Sequence, residues 1–207
     1  MADSHVGECL PRLPAEVADR LRGSDLVLHA GDITDLSVLR TLGEIAPVVA
    51  VQGDHDRAAG ILPPRARVVP AGRFRIGLTH GRRPRPVELV AASASLLSGR
   101  PRLLGFHRAL RRRFGTVHCI VHGHLHLPDC RVLGGVLFVT PGAVYLPERD
   151  PGYGDGLGAR AYLRFRRRQD PALRVPSVGM IEAGPDRLVA RVLPLDPDLP
   201  SWVAGAA

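Results

Sequence analysis

Lysine is absent from this sequence of 207 residues, and all 28 basic side chains are arginines. Together with 20 acidic residues they give a formal net charge of +8 at pH 7. Aromatic residues make up only 4%, so few rings are available to stack on nucleobases. The basic charge therefore favours phosphate-bearing partners in general and supports nucleic-acid binding only weakly.

Long apolar runs are absent as well. No run approaches the roughly 20 apolar residues of a membrane-spanning helix, and the N-terminal residues lack the basic and apolar segments of a signal peptide. The three cysteines form an odd, sparse set that is typical of free thiols in a reducing compartment. We therefore expect a cytoplasmic protein that does not enter a membrane.

Short apolar runs alternate with helix-like segments, which predicts an α/β fold. The chain length indicates a single domain over residues 1–207. Within it we expect a helical insertion at 82–116, further strands near 160–166 and 176–192, and a loose tail at 194–207.

Successive apolar strands end in residues that can bind metals, namely Asp32, Asp54, His80 and the pair His124 and His126. Each Asp alone is more typical of a turn, and His80 alone is more typical of a hydrogen-bonded structural residue. The alternating histidines of "HGHLH" are harder to explain by packing. Because open α/β sheets bind ligands beyond the carboxyl ends of their strands, these side chains are expected to converge at one edge.

Five ordered blocks together resemble the calcineurin-like metallophosphoesterase superfamily, and most closely its small YfcE/Vps29-type phosphodiesterase branch. Any one block alone would be a weak signal, but their order and spacing make the resemblance specific. The blocks are Asp3-Ser4-His5, Gly31-Asp32, Gly53-Asp54-His55-Asp56, His80-Gly81 and Gly123-His124-Leu125-His126.

The resemblance implies a two-sheet α/β sandwich of the metallophosphoesterase type with a binuclear metal centre. Carboxylate and imidazole ligands suit manganese, which we favour, with iron, zinc or nickel as alternatives. One ion would be held by Asp3, His5, Asp32 and His126, and the other by Asp32, Asp54, His80 and His124.

The resemblance also assigns the chemistry, which is hydrolysis of a phosphate ester by a metal-activated hydroxide. His55 is the candidate general acid, and Asp56 would orient either His55 or its loop. Arg82 and Arg83 follow the His80 block and are predicted to bind the substrate phosphate.

Two positions depart from the family pattern. Asp54 replaces the usual Asn, which adds negative charge, and should tighten metal binding while weakening attraction for an anionic substrate. Thr140-Pro141-Gly142-Ala143 replaces an Asn-Pro-Gly-Ser segment, so Ala143 lacks the family's hydroxyl.

The family's first strand has almost no counterpart here, since only Met1 and Ala2 precede Asp3. Either the natural start lies upstream, which we favour, or the fold lacks most of its first strand. In both cases Asp3 is expected near Asp32 and His126, with a gap beside the strand at 26–30.

Three functions stay open at this stage. The favoured one is a binuclear metal-dependent phosphoesterase that acts on a small phosphate ester, with a diester favoured over a monoester. The alternatives are a catalytically weak, Vps29-like protein-interaction scaffold and a nuclease. The sequence does not predict the oligomeric state.

Overall fold

The computed structural model describes residues 1–147 and 156–206. The helices are α1 (Ala15–Leu21), α2 (Leu36–Gly43), α3 (Arg85–Ser98), α4 (Phe106–Phe114) and α5 (Leu157–Arg167), followed by a short 3-10 helix, Pro171–Leu173. The strands are β1 (Val27–His29), β2 (Val48–Ala50), β3 (Ala66–Ala71), β4 (Phe74–Thr79), β5 (Cys119–Val121), β6 (Asp129–Leu133), β7 (Val136–Thr140), β8 (Ser177–Ala183), β9 (Leu188–Pro194) and β10 (Trp202–Ala206).

Two β layers pack face to face. One is a five-stranded sheet of order β3-β4-β5-β7-β6, in which β4, β5 and β7 are parallel. The other consists of the parallel pair β1-β2 and the antiparallel sheet β10-β9-β8. Val121 of the first layer shares a buried apolar cluster with Ala30, next to β1, and with Ala190 of β9.

Helices cover the outer faces of both layers. On the five-stranded sheet, Phe106 of α4 packs with Phe138 of β7. Side chains of α1 and α2 pack with Val27 on the opposite face of β1 from Ala30. The resulting order of helices, sheet, sheet and helices confirms the predicted two-sheet α/β sandwich.

Residues 1–3 form an N-terminal stub that runs parallel to β1 and hydrogen-bonds to it and to the residues that follow it, without being part of a strand. The amino group of Met1 donates to the Leu28 carbonyl at 2.7 Å, and the Ala30 amide donates to the Met1 carbonyl at 2.9 Å. The Asp3 amide donates to the Gly31 carbonyl at 3.0 Å. These bonds anchor the N-terminal block directly beside the loop that follows β1.

A cavity of about 620 Å³ lies where the sequence predicts a gap. Residues 24–28 line one side and residues 179–183 line the other, while Ile76 and Val121 of the facing sheet form part of its floor. In the described residues β1 and β8 are each the last strand of their sheet. The cavity therefore separates two strand edges over an apolar floor.

Two predicted segments differ in the structure. Within the tail predicted at 194–207, β10 pairs antiparallel with β9, so Trp202–Ala206 is an ordered sheet edge rather than a loose end; Ala207 lies outside the described residues. The prediction of a strand near 160–166 is wrong, since these residues belong to helix α5. Tyr162 and Phe165 lie three residues apart, which is a helical spacing. The predicted insertion at 82–116 contains α3 and α4.

Filling the cavity should stabilise the protein. A variant with six alternating Val and Ile residues placed before Met1 would supply a strand between β1 and β8 and bury apolar side chains. A net gain of about 2 kcal/mol would raise Tm by roughly 4–8 °C, measurable by calorimetry. A Gly/Ser extension of equal length is the control, and an equal effect of both extensions would contradict the prediction.

Candidate metal centre

Four candidate ligands form one buried cluster beyond the carboxyl end of β1. One ligand atom of each lies within 4.8 Å of all the others. His5 Nε2 lies 3.3 Å from Asp32 Oδ2, and His126 Nε2 lies 3.4 Å from Asp3 Oδ1. The N-terminal stub, the loop after β1 and the loop after β5 thus supply donors to a single site.

Asp54, His80 and His124 form a second cluster beside the first. His124 Nδ1 lies 3.2 Å from Asp54 Oδ2, and His80 Nε2 lies 4.0 Å from that same oxygen. Asp32 Oδ2 is 3.3 Å from His80 Nε2 and equally far from His5 Nε2. The Asp32 carboxylate therefore lies between the clusters, where a ligand shared by two ions would lie.

Hydrogen bonds on the far side of two histidine rings orient them toward this carboxylate. His80 Nδ1 contacts the Ala30 carbonyl at 2.9 Å, which fixes that nitrogen as the donor, and His5 Nδ1 lies 2.9 Å from Glu8 Oε2. The Nε2 atoms of both rings are buried and lie 3.3 Å from Asp32 Oδ2, but neither has a partner in good hydrogen-bond geometry. In metal-binding histidines, one ring nitrogen usually donates to an acceptor outside the site while the other directs its lone pair at the metal.

Five of the seven candidate ligands have a left-handed backbone conformation, which is rare for residues other than glycine. Such conformations cost about 1–3 kcal/mol each and cluster at functional sites, where neighbouring structure enforces them. The φ angles are 52° for Asp3, 44° for His5, 55° for Asp32, 74° for His124 and 53° for His126.

The electrostatics of the centre favour bound cations. Burial opposes ionisation of Asp32, but the close His5 and His80 rings hold the pKa of its carboxyl far below the usual range. Burial also disfavours the charged His5 ring, yet Asp32 outweighs burial and raises the pKa of His5 to about 9. For His124, Asp54 and Glu88 likewise overcome burial and raise the pKa to about 10. Divalent ions would replace these protons as the balancing charge.

Asp56 holds the loops after β1 and β2 together. Its buried carboxylate accepts hydrogen bonds from four backbone amides, those of Asp32, Ile33, Thr34 and Gly53, at 2.6 to 3.1 Å. The approach is close, since a Cβ at Gly31 would lie 2.7 Å from the Gly53 Cα. Of the two roles expected for Asp56, this geometry supports orientation of the loop.

His55 lies at the mouth of the first cluster. Its ring packs edge to face on His5 with centroids 4.8 Å apart, and its backbone amide donates to Asp32 Oδ1 at 2.9 Å. His55 Nδ1 lies 2.9 Å from Glu8 Oε2, the oxygen that also contacts His5. Sequence reasoning missed Glu8, although its position three residues after His5 could have indicated a contact.

The two predicted substrate arginines occupy different environments. Arg82 is half-exposed, and its Nη1 lies 3.1 Å from Asp54 Oδ1. Arg83 is buried. Its Nε donates to Glu88 Oε1 and its Nη2 to Glu88 Oε2, both at 3.0 Å, and its Nη1 donates to the Leu103 carbonyl at 2.6 Å. The Arg83 guanidinium is thus used inside the protein, which favours a structural role for it.

Two further residues near the centre were not identified from the sequence. Glu88 Oε1 of α3 lies 3.5 Å from His124 Nε2. Arg166 of α5 is almost fully buried and donates from Nη1 to the His126 carbonyl at 2.7 Å. No short-range pattern marks either contact, because each joins the site to a helix remote in sequence.

The donor set fits a pair of divalent ions. It combines carboxylate oxygens with imidazole nitrogens, includes one carboxylate between the clusters, and leaves two buried Nε2 atoms without partners. Two divalent ions held there would polarise a phosphoryl oxygen and lower the pKa of a bound water.

The comparisons with known proteins agree with this geometry. The calcineurin-like phosphoesterase superfamily domain matches residues 1–155. A probable metallophosphoesterase from Methanothermobacter thermautotrophicus is 34% identical over 148 residues, which cover 72% of this chain and 77% of that protein. The chain therefore belongs to the calcineurin-like phosphoesterase superfamily, a family of hydrolases that use divalent metals.

Solved structures show the same fold. Vacuolar protein sorting 29 from Cryptosporidium parvum superposes with a TM-score of 0.69 at 20% identity, covering 100% of this chain and 95% of that one. Zinc-complexed Vps29 from Entamoeba histolytica gives a TM-score of 0.65 at 22% identity, covering 99% and 95%. Among the residues described here, no helix has both the length and the apolar character needed to cross a membrane.

Metal binding should be visible as thermal stabilisation. Mn²⁺ at about 100 times its Kd should add roughly 2.7 kcal/mol and raise Tm by about 5–10 °C. Asp32→Asn should lose most of this shift, because its carboxylate lies between both clusters. Asp186→Asn, a matched change at an exposed site, should keep it. A full shift in Asp32→Asn would contradict a shared ligand at this position.

Proposed function

We propose that the protein is a binuclear metal-dependent phosphodiesterase. The observation that carries this proposal is the Asp32 carboxylate, which lies between two donor clusters and faces the unpartnered Nε2 atoms of His5 and His80. Two ions that share such a carboxylate can clamp the attacking and leaving oxygens of an in-line displacement at phosphorus.

The proposed ligand sets follow the two clusters, with Asp32 in both. Manganese is the favoured metal, and the zinc complex of the structurally similar Vps29 keeps zinc as an alternative. Asp3, His5, Asp32 and His126 would hold one ion, and Asp32, Asp54, His80 and His124 the other.

The local charge favours a diester over a monoester. Asp54, 3.2 Å from His124, stands where the family commonly has a neutral Asn, so its carboxylate adds a negative charge to the site. A monoester carries up to two negative charges near neutral pH, whereas a diester carries one, so the monoester is repelled more strongly. Arg82, which is half-exposed and pairs with Asp54, is the cation that we propose contacts the bound phosphate.

His55 is the proposed general acid. It is half-exposed at the edge of the first cluster, where a leaving oxygen could reach its ring. Its Nδ1 atom contacts Glu8, which leaves Nε2 available to protonate that oxygen. We propose Glu8 as the positioning residue that holds this orientation, and Asp56 as the residue that fixes the loop.

A protein-interaction scaffold is less well supported. The likeness to Vps29 concerns the fold, whereas all seven proposed ligand positions here carry metal-capable side chains that gather in two clusters. Nothing in the described site or the comparisons is specific to nucleic acid, so a nuclease is not proposed.

Activity can be tested with chromogenic esters and added Mn²⁺. Bis-p-nitrophenyl phosphate should be hydrolysed with a higher kcat/KM than p-nitrophenyl phosphate. His124→Ala should lose roughly 100-fold or more, since even outer-shell changes at metal sites cost 10–100-fold. His118→Ala, a histidine remote from the clusters, should stay near wild type. Failure to cleave either ester with Mn²⁺, Fe²⁺, Zn²⁺ or Ni²⁺ would refute the proposal.

The role of Glu8 can be tested through the leaving group. A general acid matters most for a poor leaving group, so His55→Ala should slow release of an alkoxide by about 100-fold and release of p-nitrophenolate much less. Glu8→Ala should slow alkoxide release by roughly 10-fold with the same selectivity.

Two controls separate positioning from loss of structure or metal. Glu8→Ala added to His55→Ala should cause no further loss with the alkyl ester, and metal content should stay at the wild-type level. Glu16→Ala, at an exposed position of α1, should leave the hydrolysis of both substrates unchanged. Equal losses for both leaving groups would instead assign Glu8 to support of the His5 ring.

A further inference from the structure

An apolar groove lies between α3 and the second ligand cluster. Its volume is about 690 Å³, within the range typical of small-molecule sites. It is lined by Arg85, Pro86, Glu88, Leu89, Ala92 and His124.

The groove is continuous with the candidate metal centre. His124 forms part of its wall, and the same ring faces Asp54 through Nδ1 at 3.2 Å. A phosphate bound at the clusters would therefore carry one of its substituents toward Leu89 and Ala92. His55, the proposed donor to the leaving group, contacts the other cluster through His5.

Arg83 fixes the wall of the groove in place. It pairs with both oxygens of Glu88, donates to the Leu103 carbonyl, and stacks over Phe106 with its guanidinium carbon 5.1 Å from the ring centroid. These contacts attach the first turn of α3 to the body of the fold. They also balance the Glu88 charge, so the groove beside it can hold an apolar group.

The groove has exposed apolar surface without cover from the described chain. Leu89 is 70% exposed, although it projects beside a site built from ionisable groups. Covering such a side chain is favourable by about 25 cal/mol per Å² of apolar surface. A ligand that contacts both the metal centre and Leu89 would gain binding free energy from each contact.

We propose that this groove binds the apolar, aliphatic or aromatic, non-leaving substituent of a phosphodiester substrate. The inference rests on the proposed phosphodiesterase function and narrows its substrate class. It also supplies a second reason for diester selectivity, because a monoester has no organic substituent other than the leaving group.

The test compares two esters with the same leaving group, methyl p-nitrophenyl phosphate and cyclohexyl p-nitrophenyl phosphate. The wild type should prefer the cyclohexyl ester by roughly 10-fold in kcat/KM, since the ring buries several additional methylene groups. Leu89→Gln and Ala92→Gln should each reduce this ratio toward one. Leu97→Gln is the matched control, because Leu97 is 89% exposed on the same helix and does not line the groove.

A wild-type ratio near one would overturn the proposal, as would a 10-fold ratio that persists in both groove variants. Hydrolysis of neither ester would count against the proposed activity rather than the groove. In that case the groove is tested by binding alone, through calorimetric titration of the Mn²⁺-loaded protein with cyclohexylphosphonate and methylphosphonate. Tighter binding of cyclohexylphosphonate that Leu89→Gln removes supports the groove, and equal binding of the two ligands overturns it.

Discussion

The centre depends on one buried carboxylate that is not among the candidate ligands. Asp56 accepts four backbone hydrogen bonds and so joins the loops after β1 and β2. Each donor would cost about 1–3 kcal/mol if left buried without a partner. Because Asp32 and Asp54 lie on these two loops, the carboxylate that ties the loops together also sets the spacing between the clusters.

The strained backbone conformations of the ligand residues are likewise held by contacts with other segments of the chain. Asp3, Asp32 and His124 all have positive φ, and each is held by contacts from another segment. The Asp3 carboxylate accepts the His124 amide, while the Asp3 amide donates to the Gly31 carbonyl. Segments distant in sequence thus hold one another in conformations that none would adopt alone. Such preorganisation suits a site whose ligands must meet at fixed distances.

Local patterns in the sequence predicted an α/β fold and the convergence of Asp32, Asp54, His80, His124 and His126, because these residues follow apolar strands. The two-sheet sandwich and the inclusion of Asp3 and His5 came from the resemblance of the five ordered blocks to the family. The sequence did not predict α5 or β10, and it missed Glu8, Glu88 and Arg166. Arg166 reaches His126 from a helix 40 residues away, a contact that only tertiary packing creates. It also grouped Arg82 with Arg83, although burial separates their roles.

Arg82 and Arg83 explain how the site accommodates the carboxylates of Asp54 and Glu88. The Arg82 guanidinium compensates Asp54, and that of Arg83 compensates Glu88. Arg83 is enclosed and cannot turn toward a ligand, whereas Arg82 is half-exposed and can share its charge with an incoming anion. Since Arg83 already balances Glu88, Arg82 alone is left to offset both Asp54 and an incoming anion, which matches a singly charged phosphate better than a doubly charged one. The charge at the clusters and the apolar groove beside them thus favour the same kind of substrate.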